Sequence, residues 1–382
     1  MADFKIQSIT PVAGKIKVGS SDVSKIYRGV TLVWPAFVCS FTFTSNAQLQ
    51  TAVNQWISNR ASTIATYGHI NNWCTGAITD MSGLFSYKTT FNDDISNWDV
   101  SNVTDMSFMF DNAYAFNQPL NSWDVSSVTD MEKMFGDARA FNQNINSWDV
   151  SSVTNMSGVF YYATSFNGNI GAWDVSSVTD MNAMFIGIGV FNQDISAWDV
   201  SSVTDTQSMF RDAYAFNQPI GAWNVSSATD ISSMFHNAIA FNQSLNSWDV
   251  SSVTDTRNVF YRASAFNGDI SSWDVSSVTN TLGMFYKASA FNQDIGAWDV
   301  SNVTSMSNMF FDATSFNNGG ATSIGTWDVS SVYSMQYMFF DATIFNQDLS
   351  GWCVSNISSG PTQFSTNSAL TTANKPAWGT CP

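Results

Sequence analysis

Basic residues are scarce in this chain. Its 382 residues include 14 lysines and arginines against 30 aspartates and glutamates, a formal net charge of −16. Nucleic acids and anionic membranes are bound through basic surface, so this balance argues against both as partners. No run of 18 apolar residues is present, so we expect no membrane insertion. Residues 1–5 do not begin the apolar core of a cleaved signal peptide, so we expect any export to follow another route, for example inside or upon a particle.

Histidine is scarcer still. His69 and His236 lie in unlike contexts, with no nucleophile motif near either. Carboxylates recur at regular intervals along the chain, whereas a glycosidase needs one particular pair in one cleft. The sequence therefore predicts a protein that is not an enzyme, with no catalytic residues and no cofactor.

Cysteine occurs at only four positions, Cys39, Cys74, Cys353 and Cys381. No CxxC or Cys/His metal-site spacing is present. Four cysteines allow three pairings, of which Cys39–Cys74 and Cys353–Cys381 are the local ones. Two such disulfides would suit an oxidising, extracellular setting. The alternative is four free, buried thiols.

Tryptophan recurs with a fixed period, and this period decides the architecture. The spacing is 25 residues up to Trp298, and a four-residue insertion around residues 318–321 then delays the next tryptophan to Trp327. The series is Trp73, Trp98, Trp123, Trp148, Trp173, Trp198, Trp223, Trp248, Trp273, Trp298, Trp327 and Trp352. The chain is therefore an array of about a dozen repeats.

Each repeat contains two apolar patterns. Ile95, Trp98 and Val100 have the spacing of a leucine-rich-repeat strand, which predicts Trp98 and Val100 inward and Asp99 outward. Met106, Met109 and Phe110 follow at the spacing of one helical face, which predicts a short helical turn. Repeats of this kind bury their apolar faces only against one another. We therefore expect a right-handed leucine-rich-repeat-like parallel β-solenoid with short helical turns, capped at both ends.

The flanking segments differ from the repeats and divide the chain into four parts. Residues 1–36 alternate like strands from Phe4 to Val18 and from Ile26 to Trp34, with a tight turn at Gly29, and predict a small β anchor module. Residues 37–72 form an N-terminal cap with an amphipathic helix from Ser45 to about Arg60. The repeats occupy residues 73–354, and residues 355–382 form a C-terminal cap.

The repeated motif Phe-Asn-x-x-Ile-x-x-Trp-Asp-Val-Ser-x-Val-Thr-x-Met-x-x-Met-Phe resembles the BspA-like leucine-rich repeat family of surface proteins over about residues 70–355. The resemblance implies the leucine-rich fold and an adhesive surface setting, and it implies no catalytic residues. Residues 17–35 are weakly similar to leader modules on structural proteins of tailed phages. That similarity favours a virion component, such as a phage tail or particle-decorating protein, over a bacterial surface adhesin.

Comparison of the repeats with one another indicates a binding face. The predicted strand hardly changes, whereas the positions around the predicted turn vary and contain all seven lysines and arginines of the repeat body. Tyrosine offers a broad apolar face and a hydroxyl, and arginine a planar donor fork. We expect recognition of a host cell-surface glycan or protein there, and contact with other virion or surface proteins through the N-terminal module. The candidate ligand-binding residues are Tyr161, Tyr162, Arg211, Tyr214, Arg257, Tyr261, Arg262, Tyr286 and Lys287. Two alternatives stay open: that these aromatics only cover the coil edges, and that the array is a rigid spacer without a ligand.

The constant face carries an acidic ladder. Stacked aspartates about 4.8 Å apart would repel one another by about 0.9 kcal/mol per pair even in a water-like dielectric. Hydrogen bonds from nearby serines and solvation would offset this repulsion, and Ca²⁺ bridging adjacent coils is the alternative. The candidate metal ligands are Asp99, Asp124, Asp149, Asp174 and Asp199; Asn224 then interrupts the ladder before Asp249.

Overall fold

The computed structural model describes the backbone of residues 10–12, 15–18, 21–23, 26–28 and 31–34, and all of residues 38–382. Short strands lie in the first part: β1 (Thr10–Val12), β2 (Lys15–Val18) and β3 (Ser21–Val23) form one antiparallel sheet, and β4 (Ile26–Arg28) pairs with β5 (Thr31–Trp34) in another. The predicted turn at Gly29 and the predicted strand residues 4–9 lie outside the described residues.

Two helices and a short parallel sheet form the N-terminal cap. Strand β6 (Phe41–Thr42) pairs with β7 (Trp73–Cys74), and the helices are α1 (Asn46–Ser58) and α2 (Arg60–Tyr67). Helix α1 occupies the predicted range, and the hydroxyl of Ser45 caps it by accepting from the Gln48 N–H. Residues 38–382 also contain five short 3₁₀ segments: Ile70–Asn72, Ile220–Ala222, Asn318–Gly320, Ser323–Thr326 and Thr372–Asn374. None of the helices in the described part of the chain is long and apolar enough to cross a membrane.

The protein is a repeat protein whose successive repeats stack in chain order. Parallel bridges join equivalent residues of neighbouring repeats, beginning with Asp80 to Asp105 and ending with Ser305 to Ser334. Three further N–H groups around Tyr337 bond carbonyls of residues 362–366, so the stacking continues into the C-terminal cap. We call each repeat a coil, and the residues at one repeat position a column.

The strand predicted over Ile95–Val100 is absent from the structure. The Trp98 N–H bonds the Ile95 carbonyl, and the Val103 N–H bonds the Val100 carbonyl, both at 2.9–3.0 Å. These local turns use N–H and carbonyl groups that would otherwise bond a neighbouring strand in a β-ladder. The backbone bonds between coils instead lie mainly in the segment after Val103, where no strand was predicted.

The predicted helical turn is also wrong, although its buried face is right. Met106, Met109 and Phe110 are fully buried. Phe108 and Asn112, however, have left-handed backbone with φ of 56° and 58°, which interrupts a helix. Left-handed residues recur among right-handed ones in this segment, and alternate N–H groups therefore point at carbonyls of the next coil. These N–H groups belong to Met106, Phe108, Phe110 and Asn112. The spacing of a helical face is thus produced by overlapping turns.

Polar side chains form further ladders along the array. Each tryptophan from Trp98 to Trp352 donates its indole N–H to a carbonyl of the preceding coil at 2.9–3.3 Å. The asparagine after each core phenylalanine also forms hydrogen bonds to the neighbouring coil. The Oδ1 of Asn217 accepts from the Asn242 N–H at 2.9 Å and from Gln243 Nε2 at 2.8 Å. The repeated Phe-Asn-Gln therefore encodes a connection between coils.

The core consists of columns of stacked rings. The ring centroid of Phe110 lies 4.0 Å from that of Phe116 in its own coil and 5.5 Å from that of Phe135 in the next coil. The insertion near residue 320 is absorbed without breaking these columns. Asn318 is fully buried there; its Oδ1 accepts from the Ile295 N–H, and its Nδ2 donates to the Asp294 carboxylate. The side chain of Asn318 thus supplies a hydrogen-bond acceptor for the Ile295 N–H beside the insertion.

Disulfides hold both ends. Cys39 is bonded to Cys74 beside β6 and β7, and Cys353 to Cys381 in the C-terminal cap. Both local pairings expected from the sequence are therefore present. The Trp56 indole and the Arg60 guanidinium both bond the Asp93 carboxylate, which ties the cap helices to the first coils.

We expect Asn217→Ala to destabilise the array by about 1–2 kcal/mol, because it removes two hydrogen bonds between coils. Urea unfolding followed by circular dichroism measures this loss. Ser252→Ala, at an exposed position of the neighbouring repeat, is the control and should change little. An equal effect of the two substitutions would show that the asparagine ladder does not contribute.

Reduction should destabilise the two ends of the array. The disulfides close loops with sequence separations of 35 and 28 residues. Loops of this size correspond to about 4 kcal/mol each in the chain-entropy model. Cys353→Ser with Cys381→Ser should therefore increase amide hydrogen exchange of the C-terminal coils and leave the central coils unchanged. Non-reduced peptide mapping that found four free thiols would contradict the pairing.

Candidate functional site

A strip of stacked rings lies on the variable face. His236, Tyr261, Tyr286, Phe311 and Phe340 occupy one column and stack face to face at centroid distances of 4.5, 4.3, 4.5 and 4.7 Å. All five rings are half-buried. We call these five residues the aromatic strip. Arg211 precedes His236 in the same column.

Cations flank the strip on the adjacent column. The Arg262 guanidinium carbon lies 5.7 Å from the Tyr261 ring centroid, and Lys287 Nζ lies 5.8 Å from that of Tyr286. Lys287 Nζ is also 3.7 Å from the Asp312 carboxylate. For Arg262, no ion pair closer than 4.0 Å is found among the described residues.

The nine predicted binding residues do not form one continuous track. Tyr161, Arg211, Tyr261 and Tyr286 share the column of the strip, but the buried Ile186 separates the first two. Tyr162, Arg262 and Lys287 share the adjacent column. The other two stand elsewhere: Arg257 is held by Asp255 at 2.6 Å, and Tyr214 covers Gly189, whose added Cβ would lie 2.9 Å from the ring. The structure therefore brings five of the nine together in two adjacent columns, and leaves Arg257 and Tyr214 to the side. The five are Arg211, Tyr261, Arg262, Tyr286 and Lys287.

The faces of the predicted tyrosine rings are largely covered by neighbouring side chains. Tyr261 and Tyr286 each stack between two neighbours, at distances too short for a ligand to enter. Tyr161 packs edge-on against Tyr162, whose ring also covers Gly187. What the strip presents outward is ring edges, phenolic hydroxyls and the flanking cations.

Several members of the strip were absent from the predicted site. His236, Phe311 and Phe340 occupy the same column as Tyr261, so the repeat period alone would have found them. His236 begins the strip and stacks on Tyr261. Its Nδ1 is buried and has no hydrogen-bond partner among the described residues, and burial, followed by the nearby Arg211, lowers the pKa of His236 to about 4. The ring is therefore neutral at physiological pH.

Left-handed backbone runs beneath the variable face in two columns. One contains Phe108, Lys133 and Asn258, and the other contains Tyr162, Arg262 and Lys287. Glycine and asparagine adopt this conformation with least strain, and larger side chains there cost about 1 kcal/mol or more. The candidate residues Tyr162, Arg262 and Lys287 are thus kept at strained positions.

The acidic ladder is compensated by serines. The hydroxyl of Ser126 donates to Asp124 Oδ1 at 2.6 Å, and Ser151 bonds Asp149 in the same way. Hydrogen bonds from the Ser176 hydroxyl and N–H lower the pKa of Asp174, and Ser201 does the same for Asp199. Within residues 38–382 no group of three or more His, Cys, Asp or Glu side chains is placed to hold a metal ion.

Comparison with known proteins places the repeats in a family. The family model described as "Mycoplasma protein of unknown function, DUF285" matches residues 51–171, 141–248, 230–321 and 321–380. The chain belongs to this family. No curated protein matches it. The DUF285 matches cover the N-terminal cap from residue 51, all the coils and nearly all of the C-terminal cap, so the aromatic strip lies on DUF285 repeats.

The half-buried His236 of this DUF285 array predicts a pH dependence of stability. Its folded pKa is about 4, below the usual 6.5, so between these values the unfolded chain binds more protons. Stability should therefore fall as the pH decreases from 6.5 to 4, by about 2 kcal/mol for a partly buried ring. His236→Phe keeps a stacking ring and should remove this slope in urea unfolding.

Tyr261→Phe, which retains the histidine, is the control and should keep the slope. A slope that persisted in His236→Phe would assign the pH dependence to other groups.

Proposed function

We propose that this protein is a binding scaffold of the adhesin or receptor-binding type, which recognises a glycan or protein on a cell surface through its variable face. The observation that carries the proposal is the aromatic strip with its flanking cations. Arg211, Arg257, Arg262 and Lys287 occur within a few coils of one another in a chain of net charge −16. Arg211, Arg257 and Lys287 each pair with an aspartate, and Arg262 has no ion pair closer than 4.0 Å among the described residues. The ring edges and hydroxyls of the strip lie beside Arg262 and Lys287.

The strained backbone supports the same face. Arg262 and Lys287 have φ of 58° and 56°, while the equivalent positions in two other coils are Asn112 and Asn237. Asparagine would fold there with less strain. Retention of long cationic side chains at a cost in stability is typical of positions held for binding.

Within the repeat class, we propose a right-handed solenoid related to the leucine-rich repeats and similar to the BspA-like surface proteins. Parallel bridges between equivalent residues of successive coils support it. The two disulfides favour an extracellular or virion-surface location, since such bonds persist in oxidising compartments. Copies on one particle would multiply a weak affinity.

A variant that retains the stack tests the binding face. Tyr261→Phe and Tyr286→Phe keep both rings and remove the hydroxyls, and Arg262→Asn with Lys287→Asn installs a residue that prefers left-handed backbone. We expect unchanged or higher stability and at least a tenfold loss of binding to an array of bacterial surface polysaccharides and to intact bacterial cells.

A charge-matched control elsewhere on the variable face separates the aromatic strip from general electrostatics. Lys133→Asn with Arg139→Thr also removes two positive charges, near the other end of the array, and places residues found at equivalent positions of other coils. Its binding should equal that of the unmodified protein. If the strip variant also binds equally, the aromatic strip is not the recognition site; if the unmodified protein binds nothing, the array is a spacer.

A further inference from the structure

The last complete coil departs from the repeat at one place. Where nearly all the earlier coils have Thr followed by Asp or Asn, this coil has Tyr333 followed by Ser334. Thr304, the preceding member of the column, donates both its N–H and its hydroxyl to the Thr279 carbonyl. Tyr333 keeps only the backbone bond, to the Thr304 carbonyl at 3.0 Å. As a residue, Tyr333 is 65% exposed.

An open groove lies beside this ring, between the last coil and the C-terminal cap. Its volume is about 310 Å³, within the range of small-ligand sites. The buried Met335 and Ile357 line its floor. The groove lies where the column of bridges ends at Ser334, before the backbone bonds to the cap begin at Tyr337. We call it the C-terminal groove.

The polar groups of the groove are neutral. The described residues that line it include no aspartate, glutamate, lysine, arginine or histidine. Its hydroxyls and amides both donate and accept hydrogen bonds. They belong to the half-buried Ser334 and to the exposed Tyr333, Gln336, Asn356, Ser358, Ser359 and Thr362. Such a lining offers no counter-ion to a charged ligand.

The cap holds the groove in a fixed shape. Asn356 Nδ2 donates to the Ser330 carbonyl at 2.7 Å, which leaves its Oδ1 available. The Trp378 indole packs on Gly360, where an added Cβ would lie 3.2 Å from Nε1. The disulfide between Cys353 and Cys381 closes the same segment. A site already held in its bound shape loses little entropy on binding.

We infer that the C-terminal groove is a binding site for a neutral sugar, either a monosaccharide or the end of a glycan chain. A pyranose presents an apolar C–H face, which suits the exposed Tyr333 ring, and hydroxyls that pair with amides and hydroxyls. The site uses different residues from the aromatic strip and does not depend on it. An open, shallow groove of this size predicts a dissociation constant in the roughly millimolar range.

The test is saturation-transfer NMR of the full chain with the methyl glycosides of glucose, galactose, mannose and N-acetylglucosamine. Glucuronate and glucosamine serve as charged probes. Tyr333→Thr restores the residue of the other coils, and its hydroxyl can bond the Thr304 carbonyl, so the fold should be retained. We expect at least one neutral glycoside to bind and Tyr333→Thr to weaken it at least tenfold.

Tyr87→Asn is the matched control. Tyr87 is 72% exposed at the other end of the array, lines no part of the groove, and has Asn112 at the equivalent position of the next coil. Unchanged glycoside binding in this variant supports the inference. The inference is overturned if no neutral glycoside binds at tens of millimolar, if Tyr333→Thr binds equally, or if the charged sugars bind as well. Loss of glycoside binding in the strip variant alone would overturn it while supporting the proposed function.

Discussion

The structure depends on one constraint: each coil completes the hydrogen bonding of its neighbours. In the segment after Val103, alternate N–H groups have their partners in the following coil, while the tryptophan indoles and asparagine side chains reach between coils elsewhere. These bonds all require the same register. An isolated coil would leave many polar groups unpaired, which is why repeat arrays fold as stacks. The fixed period of the sequence is the consequence.

The constraint also decides where the chain can vary. Trp98, Asn117 and Thr104 each bond a neighbouring coil through the side chain, so a change at these positions affects two coils. The segment at the Asp111 and Asn112 positions is bonded to the next coil through its backbone, whatever side chains it has. Side chains there can add contacts between coils, as the strip rings do, but the backbone ladder does not require them. A binding face can therefore change without disturbing the ladder beneath it.

The period, the buried residues, the cap helix and both disulfides could be predicted from the sequence, because each depends on spacing or on local pattern. The position of the ladder could not. Ile95, Trp98 and Val100 have the spacing of a strand and are buried like one, but burial does not fix where backbone groups find partners. Phe108 and Lys133 do not by themselves indicate left-handed backbone, since neither is glycine or asparagine; only the glycines and asparagines at equivalent positions of other coils, such as Gly158 and Asn258, indicate it. The second cap helix, α2, was missed because its apolar residues are few.

The candidate sites show the same division between pattern and context. Comparison of the repeats predicts the variable columns. It does not predict that the tyrosine faces in them are covered and closed to a ligand. In a stacked array, an aromatic residue that recurs in one column stacks on its own repeat, as Tyr261 does on Tyr286 at 4.3 Å. Such a ring stabilises the array and keeps only its edge for a ligand. An aromatic residue that occurs once in its column, as Tyr333 does, keeps a face open because its neighbour Thr304 has no ring to stack on it. Recurrence therefore favours stability, and in this architecture a ring face becomes available for binding where the repeat is broken.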